Sequence, residues 1–282
     1  MHASQASRAS FKTHVRVHKN VLENEHWFGD SGPKLGRQFT VAKAKERKTE
    51  LLKILWQAAK SARNHGNLKF ATSLEILGDK LHACSAGTRC GSLACEECRP
   101  AFQRAKFSGQ ARLLATLKVD YPHKQVVMAT IIPRRFIYRI DELDALDVAA
   151  ANRWVKDVLT RAGFRRVMLG SFDLSWEDGF YQGHWHIPML TSDLEELKRR
   201  LKAIWPVSDI VKRPVVVSCT YSNGYLPYKD KAIKIPELLR QNRRGLPNLL
   251  LALDRTEPLE LMVIFRLRLS AQHGELHFKP IP

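Results

Sequence analysis

Acidic residues are in short supply in this chain. Asp and Glu number 28 against 46 Lys and Arg, a formal charge of +18. That imbalance points to a polyanion as partner, because neutralising phosphates releases condensed counterions. Acidic lipid is the other common polyanion, but no segment pairs a basic face with a clean apolar one. No apolar run is long enough to span a bilayer, so no membrane segment is expected. The first residues lack the apolar stretch of a secretory signal, and a cytoplasmic protein is expected. No glycine-rich phosphate loop of the helicase type occurs, so any unwinding of nucleic acid would have to come from another protein. There is no internal repeat. What remains is a chain of 282 residues, 44% hydrophobic, with enough length for a real core.

Cysteine is also sparse, and its placement is uneven. Of five cysteines, Cys84, Cys90, Cys95 and Cys98 fall within fifteen residues, while Cys219 stands alone in an apolar stretch and reads as core. In a reducing compartment such clustering suggests metal rather than disulfides. The four thiols can close a tetrahedral zinc site, with Cys95-x-x-Cys98 its strongest element. His82 could replace Cys84. A redox pair at Cys95 and Cys98 is the competing reading, although no thioredoxin-like strand precedes it. A zinc ion here would be structural.

Periodicity divides the chain into four regions. Residues 1–38 read as a basic flexible arm, with Arg8, Lys12, Arg16 and Lys19 available to phosphates. Residues 39–120 read as a helical region around the cysteine cluster. One helix is expected over 39–63, with Leu51, Leu52, Ile54 and Leu55 inward. Another is expected from Pro100 to about Lys118, with Phe102, Ala105, Leu113, Leu114 and Leu117 inward. Residues 121–240 follow the order β-α-β-β-α-β-α: strand 126–132, helix 141–162, strand 166–176, turn 177–182, strand 183–190, helix 191–205 capped by Thr191 or Ser192, strand 213–221 and a short helix 225–235. The first six elements have the ferredoxin-like order, giving an α+β fold with an antiparallel sheet. Residues 241–282 read as a C-terminal helical extension, the second of whose apolar segments could instead be a strand.

The strand from Gly183 to Leu190 carries the sharpest signal. Side chains on a strand alternate faces, so His184 and His186 share one face and Trp185, Ile187 and Met189 the other. The imidazoles are then about 7 Å apart along the strand. On the preceding strand Phe172, Leu174 and Trp176 suit the core face, which puts Asp173 on the histidine side. Pairing Asp173 with His186 aligns Leu174 with Trp185 and Phe172 with Ile187, so the apolar pattern and the ligand pattern agree. Two imidazoles and a carboxylate leave positions open on a divalent cation, as a catalytic site requires. A lone His-x-His is more often an ordinary pair; the neighbouring carboxylate is what raises the metal reading.

Farther on stands Tyr225-Leu226-Pro227-Tyr228-Lys229-Asp230-Lys231. On a helix Tyr228 and Lys231 share a face. A phenol with a pKa near ~10 is a poor nucleophile until a cation stabilises its phenolate. Tyr225 and Tyr228 could equally pack on the sheet.

Asp173-Leu174-Ser175-Trp176, then His184-Trp185-His186, then Tyr228-x-x-Lys231 together resemble the motif set of HUH endonucleases. The likeness is to single-tyrosine initiators of plasmid rolling-circle replication, and it covers residues 84 to about 235. The first motif strand resembles Val126–Ile132, and the cysteine cluster resembles one found upstream in some of these initiators. Asp173 stands where Glu is commoner, and Gly224 stands where two-tyrosine members carry a second tyrosine or a Glu. The resemblance implies the HUH fold over 121–240. It implies Asp173, His184 and His186 as ligands of Mg²⁺ or Mn²⁺, and Tyr228 as nucleophile assisted by Lys231, with Tyr225 as the alternative. It implies nicking and joining of single-stranded DNA at a replication origin through a 5′-phosphotyrosine, leaving a 3′-hydroxyl to prime a host polymerase, with a host helicase as a further partner. Two rival readings stay open. One is a zinc-containing DNA-binding protein without catalysis. The other is a different HUH enzyme, a relaxase or a single-tyrosine transposase, although relaxases usually use three histidines and the small transposases usually lack a cysteine cluster.

Overall fold

The computed structural model describes residues 21–28, 41–165, 168–218, 235, 240–272 and 275–281. The chain divides into two compact units. One comprises residues 1–109, 244–259 and 269–277, and the other residues 110–243, 260–268 and 278–282.

The first unit is helical around the cysteines. Helix α1 (Val41–Asn64) buries Leu51, Leu52, Ile54, Leu55 and Ala59, the expected stripe. Helix α2 (Leu68–Ala83) follows after a short turn. It is an addition to the two helices expected over 39–120, and its pattern lies in Ala71, Leu74, Leu77 and Leu81, all of which are buried. Asn67 starts it by accepting from the Phe70 N–H. Helix α3 (Cys98–Asp120) has Pro100 in its first turn, and its expected inward residues are buried. Residues 21–28 belong to the segment read as a loose arm, yet Val21, Trp27 and Phe28 are buried, and Arg104 Nη1 donates to the Trp27 carbonyl at 2.7 Å. Their apolar character was outweighed in the sequence by the charge around them.

The second unit is built on an antiparallel sheet. Its strands are β1 (Gln125–Ile131), β2 (Ile137–Tyr138), β3 (Met168–Glu177), β4 (Phe180–Thr191), β5 (Val215–Ser218) and β6 (Met262–Phe265). The main order is β5-β1-β4-β3-β6, with β2 also paired to β4. Helices α4 (Val148–Arg161) and α5 (Leu194–Ile204) connect β1 to β3 and β4 to β5. The helix expected over 141–162 is in fact two pieces. A 3₁₀ segment covers Ile140–Ala145, and α4 starts only after Asp147, whose carboxylate caps the Ala150 N–H at 2.8 Å. The cap of α5 is Asp193 rather than Thr191 or Ser192, accepting from Glu196 N at 3.0 Å. In both cases an Asp at the helix mouth satisfies an orphan donor and also suits the positive end of the dipole.

The C-terminal region is only partly helical. Helix α6 (Leu246–Arg255) buries Leu246, Leu249, Leu250 and Leu253. The second apolar segment forms strands: β6 pairs with β3, and β7 (Leu267–Gln272) pairs with β8 (Glu275–Pro280). Its residues Met262-Val263-Ile264-Phe265 are a short run of strand formers, too brief for a helix, and β6 extends the sheet beyond β3. Among the described residues no helix is long and apolar enough to cross a membrane.

Strands β3 and β4 set the geometry that matters. They join through two residues, Asp178 and Gly179, with φ of 51° and 84°. Both positive values mark the hairpin turn that Asp-Gly favours. The turn centres the ladder so that Asp173 faces His184, Phe172 faces Trp185 and Ser171 faces His186. The expected partner of Asp173 was His186, two residues away. A shift of two keeps every side chain on its face, so the sidedness of the reading survives. The error came from placing a longer turn at 177–182, which moves the centre of the hairpin.

On the reverse face Trp185 is fully buried. Its ring meets Phe172 and Phe136 edge-on at 5.1 and 5.0 Å between centroids, and Phe136 meets Trp154 of α4 at 5.3 Å. The Trp185 Nε1 donates to Asn152 Oδ1 at 2.6 Å. The Asn152 amide in turn donates to the carbonyls of Glu260 and Met262, which ties α4 to the β6 edge. Gly183 makes this packing possible, since a Cβ there would sit 2.9 Å from the Phe172 ring.

Candidate metal centres

The polar face of β3 and β4 gathers three ligand-type side chains. Asp173, His184 and His186 are 6 to 8 % exposed, and one ligand atom from each lies within 4.8 Å of the others. The Asp173 Oδ2 is 3.5 Å from His184 Nε2 and 3.8 Å from His186 Nε2. These separations exceed a normal N–H···O bond of about 2.9 Å. They lie just beyond the roughly 3.0–3.4 Å between neighbouring oxygen or nitrogen ligands held about 2.1 Å from a shared cation. The two rings stand nearly perpendicular, at 89°, with centroids 4.9 Å apart.

Each imidazole is held from behind. His184 Nδ1 lies 3.1 Å from the Gln182 carbonyl, and His186 Nδ1 lies 3.0 Å from Thr130 Oγ1 on β1. A carbonyl only accepts, so His184 carries a proton on Nδ1, and Nε2 on the Asp173 side is the nitrogen left to bind a cation once it gives up its own proton. Asp173 Oδ1 accepts from the Leu174 N–H at 2.8 Å. Burial works against ionising Asp173, but the two imidazoles facing it prevail and hold its carboxyl well below the usual carboxylate range. Burial likewise works against a charge on His184, and the Asp173 carboxylate outweighs it, raising the imidazole above its ordinary value. The result is a buried carboxylate facing two imidazole nitrogens: a donor set that fits a hard or borderline divalent cation.

Thr130 escaped the sequence reading. The available signal was that it is the one hydroxyl in the run Val126-Val127-Met128-Ala129-Thr130-Ile131. Its register opposite His186 appears only once β1 pairs with β4. A cavity of about 310 Å³ lined by Met168, Met189, Leu197 and Arg200 opens at the far end of β3 and β4 and includes none of the three ligand residues.

The second group lies in the other unit. Cys84, Cys90, Cys95 and Cys98 converge, with sulfurs of Cys84 and Cys98 3.6 Å apart, Cys84 and Cys95 3.7 Å, and Cys90 and Cys98 3.8 Å. A disulfide needs about 2.05 Å between sulfurs, so all four are free thiols. Backbone N–H groups of Cys90 and Glu97 point at the sulfurs of Cys84 and Cys95, each at 3.4 Å. Hydrogen bonding from the other cysteines, Cys90 first, pulls the Cys84 thiol far below its ordinary range and favours a thiolate there. His82 is exposed and rests against Trp56, so the fourth ligand position belongs to Cys84. The acidic residues inside the cluster are neutralised. Glu97 pairs with Lys48 at 3.3 Å and Arg89 at 2.7 Å, and Glu96 pairs with Arg99. The Lys48 Nζ also donates to the Cys84 carbonyl. Basic side chains so placed offset the negative charge of a tetrathiolate site.

Tyr225, Tyr228 and Lys231 lie outside the described residues, as do Cys219 and the arm residues Arg8, Lys12, Arg16 and Lys19. No family model, curated protein or solved structure matches this chain.

Proposed function

We propose that this chain is a metal-dependent tyrosine endonuclease of the HUH type, which nicks and rejoins single-stranded DNA as an initiator of rolling-circle replication. The observation that carries the reading is the convergence of Asp173, His184 and His186 on one buried face of the central strands, with both imidazoles braced at Nδ1. The strand order β5-β1-β4-β3 fits the ferredoxin-like plan on which that family is built. The excess of basic residues fits a phosphate-backbone partner.

Asp173, His184 and His186 would hold Mg²⁺ or Mn²⁺. Such a cation, when bound, draws charge from a scissile phosphate oxygen. The rest falls to side chains of the chain. The Tyr228 oxygen would form a bond to phosphorus while the bond from phosphorus to the 3′-oxygen breaks, and the released 3′-alkoxide would take up a proton. Lys231 would lower the energy of the attacking phenolate. The phosphotyrosine keeps the bond energy for rejoining, and the 3′-hydroxyl can prime a polymerase.

The ion at the four cysteines is proposed to be zinc. Sulfurs about 2.3 Å from a tetrahedral zinc are about 3.8 Å apart, and the three separations above run from 3.6 to 3.8 Å. Its role would be to close the loop between α2 and α3.

The test is incubation of the purified full chain with single-stranded oligonucleotides drawn from candidate origins, with and without Mn²⁺. A covalent DNA–protein adduct on Tyr228 that needs the cation is the expected result. Tight binding of single strands with no adduct on any oligonucleotide would replace this reading with that of a non-catalytic binder.

A further inference from the structure

The two imidazoles of the candidate centre are braced by different chemistry. His184 leans on a backbone carbonyl, the Gln182 oxygen at 3.1 Å. No side-chain substitution removes that acceptor. His186 leans on a side chain, Thr130 Oγ1 at 3.0 Å. Thr130 sits directly across the β1–β4 ladder from His186, and on the other flank His186 faces Ser171 of β3. The strand pairing therefore delivers the hydroxyl to the imidazole, rather than a flexible side chain finding it.

A hydroxyl can accept from an N–H or donate to a bare nitrogen. Only the first leaves His186 Nε2 with a lone pair on the Asp173 side. Once a cation takes that lone pair, Nδ1 must carry the proton, and Thr130 is the acceptor that satisfies it. The imidazole is 8 % exposed, so an Nδ1–H without a partner would remain poorly hydrated.

We propose that Thr130 is a positioning residue for the cation. It fixes the ring angle and tautomer of His186 so that the site is assembled before the ion arrives. The proposal rests on the reading of Asp173, His184 and His186 as a metal centre, and on nothing about DNA. It makes the two histidines unequal, since one depends on the hydroxyl of β1 and the other does not.

The experiment is a Mn²⁺ titration followed by electron paramagnetic resonance of the free ion. The full chain would be used, cleared of loosely held cations with mild EDTA and retaining its thiol-bound metal. Wild type is compared with Thr130→Val, Thr130→Ala, Thr130→Ser and His186→Ala. Thr130→Val keeps the shape and removes the acceptor; affinity is expected to fall by about 10–100-fold, the usual effect of losing an outer-shell partner. Thr130→Ser keeps the hydroxyl and should return affinity to within about threefold of wild type. Thr130→Ala gives a second measurement should the valine variant fold poorly, as judged by circular dichroism. If His186→Ala loses Mn²⁺ while folded Thr130→Val or Thr130→Ala binds it like wild type, Thr130 does not position the ligand and the proposal is overturned. A Thr130→Ser variant as weak as the valine variant overturns it too, because then shape and not the hydroxyl is what counts. If wild type and His186→Ala bind Mn²⁺ equally, the metal reading itself is wrong and the proposal goes with it.

Discussion

Asp173 lies directly opposite His184 on the β3–β4 ladder, and its Oδ2 approaches the imidazole Nε2 to 3.5 Å while also reaching His186 at 3.8 Å. One carboxylate oxygen thus serves both rings. Asp173→Asn keeps size and shape but removes the negative charge between them. We expect it to weaken Mn²⁺ binding by at least about 100-fold, more than the loss of an outer-shell partner, because a ligand itself is changed. Calorimetric titration with Mn²⁺ measures this; an unchanged affinity would remove Asp173 from the site.

Tyr228→Phe should keep fold and single-strand binding, since it deletes one hydroxyl, yet abolish adduct formation and nicking. Tyr225→Phe should leave substantial activity. Lys231→Ala should slow cleavage by roughly 10²-fold or less, because a neighbouring charge assists the phenolate without replacing it. Gel assays for a DNA–protein adduct distinguish the three. A tyrosine-linked adduct in the Tyr228→Phe variant would overturn the assignment and make Tyr225 or Tyr221 the first candidate.

The two metal groups should part under chelation. Mild EDTA should strip the ion held by Asp173, His184 and His186 first and leave one zinc per chain, since a buried tetrathiolate holds its ion far more tightly. Elemental analysis before and after dialysis gives the count. Purified protein without zinc would reject the thiol site. Cys98→Ser should abolish zinc retention and lower the melting temperature, because the ligand is also the first residue of α3.

The reverse face of the sheet predicts a stability effect independent of any ion. Trp185→Phe removes the donor to Asn152 Oδ1 and leaves that buried oxygen unpaired, a cost of about 1–3 kcal/mol. Asn152→Ala should cost more, because it also releases the carbonyls of Glu260 and Met262. Urea denaturation gives both values. A Trp185→Phe variant as stable as wild type would show that the indole N–H contributes nothing there.

The sidedness of β3 and β4 was legible because apolar and polar residues alternate over 172–177 and 184–187, whereas β1 and β6 are near-continuous apolar runs. Trp185, Ile187 and Met189 against His184 and His186 fixed which side was core, and Phe172 and Leu174 did the same for Asp173. The register differs by two residues from the expected one because the turn is only Asp178-Gly179, not the six residues 177–182. The thiol cluster was readable from spacing alone, since all four ligands lie in one short segment. Thr130 was not, for its role arises from pairing between strands more than fifty residues apart. Helix α2 stands directly before the cysteine cluster, whose spacing carries the stronger signal in that stretch, and β6 is only four residues long, too short for its period to separate strand from helix.

The two-residue hairpin between β3 and β4 also limits how this gene can vary in length. One extra codon between Gly179 and His184 would rotate every later side chain of β4 by half a turn, sending both imidazoles into the space now filled by Trp185 and Ile187. Two extra codons would restore the sidedness but slide His184 away from Asp173. Length changes within the hairpin would therefore separate the three candidate ligands, whereas changes in the loops that flank it leave their register intact.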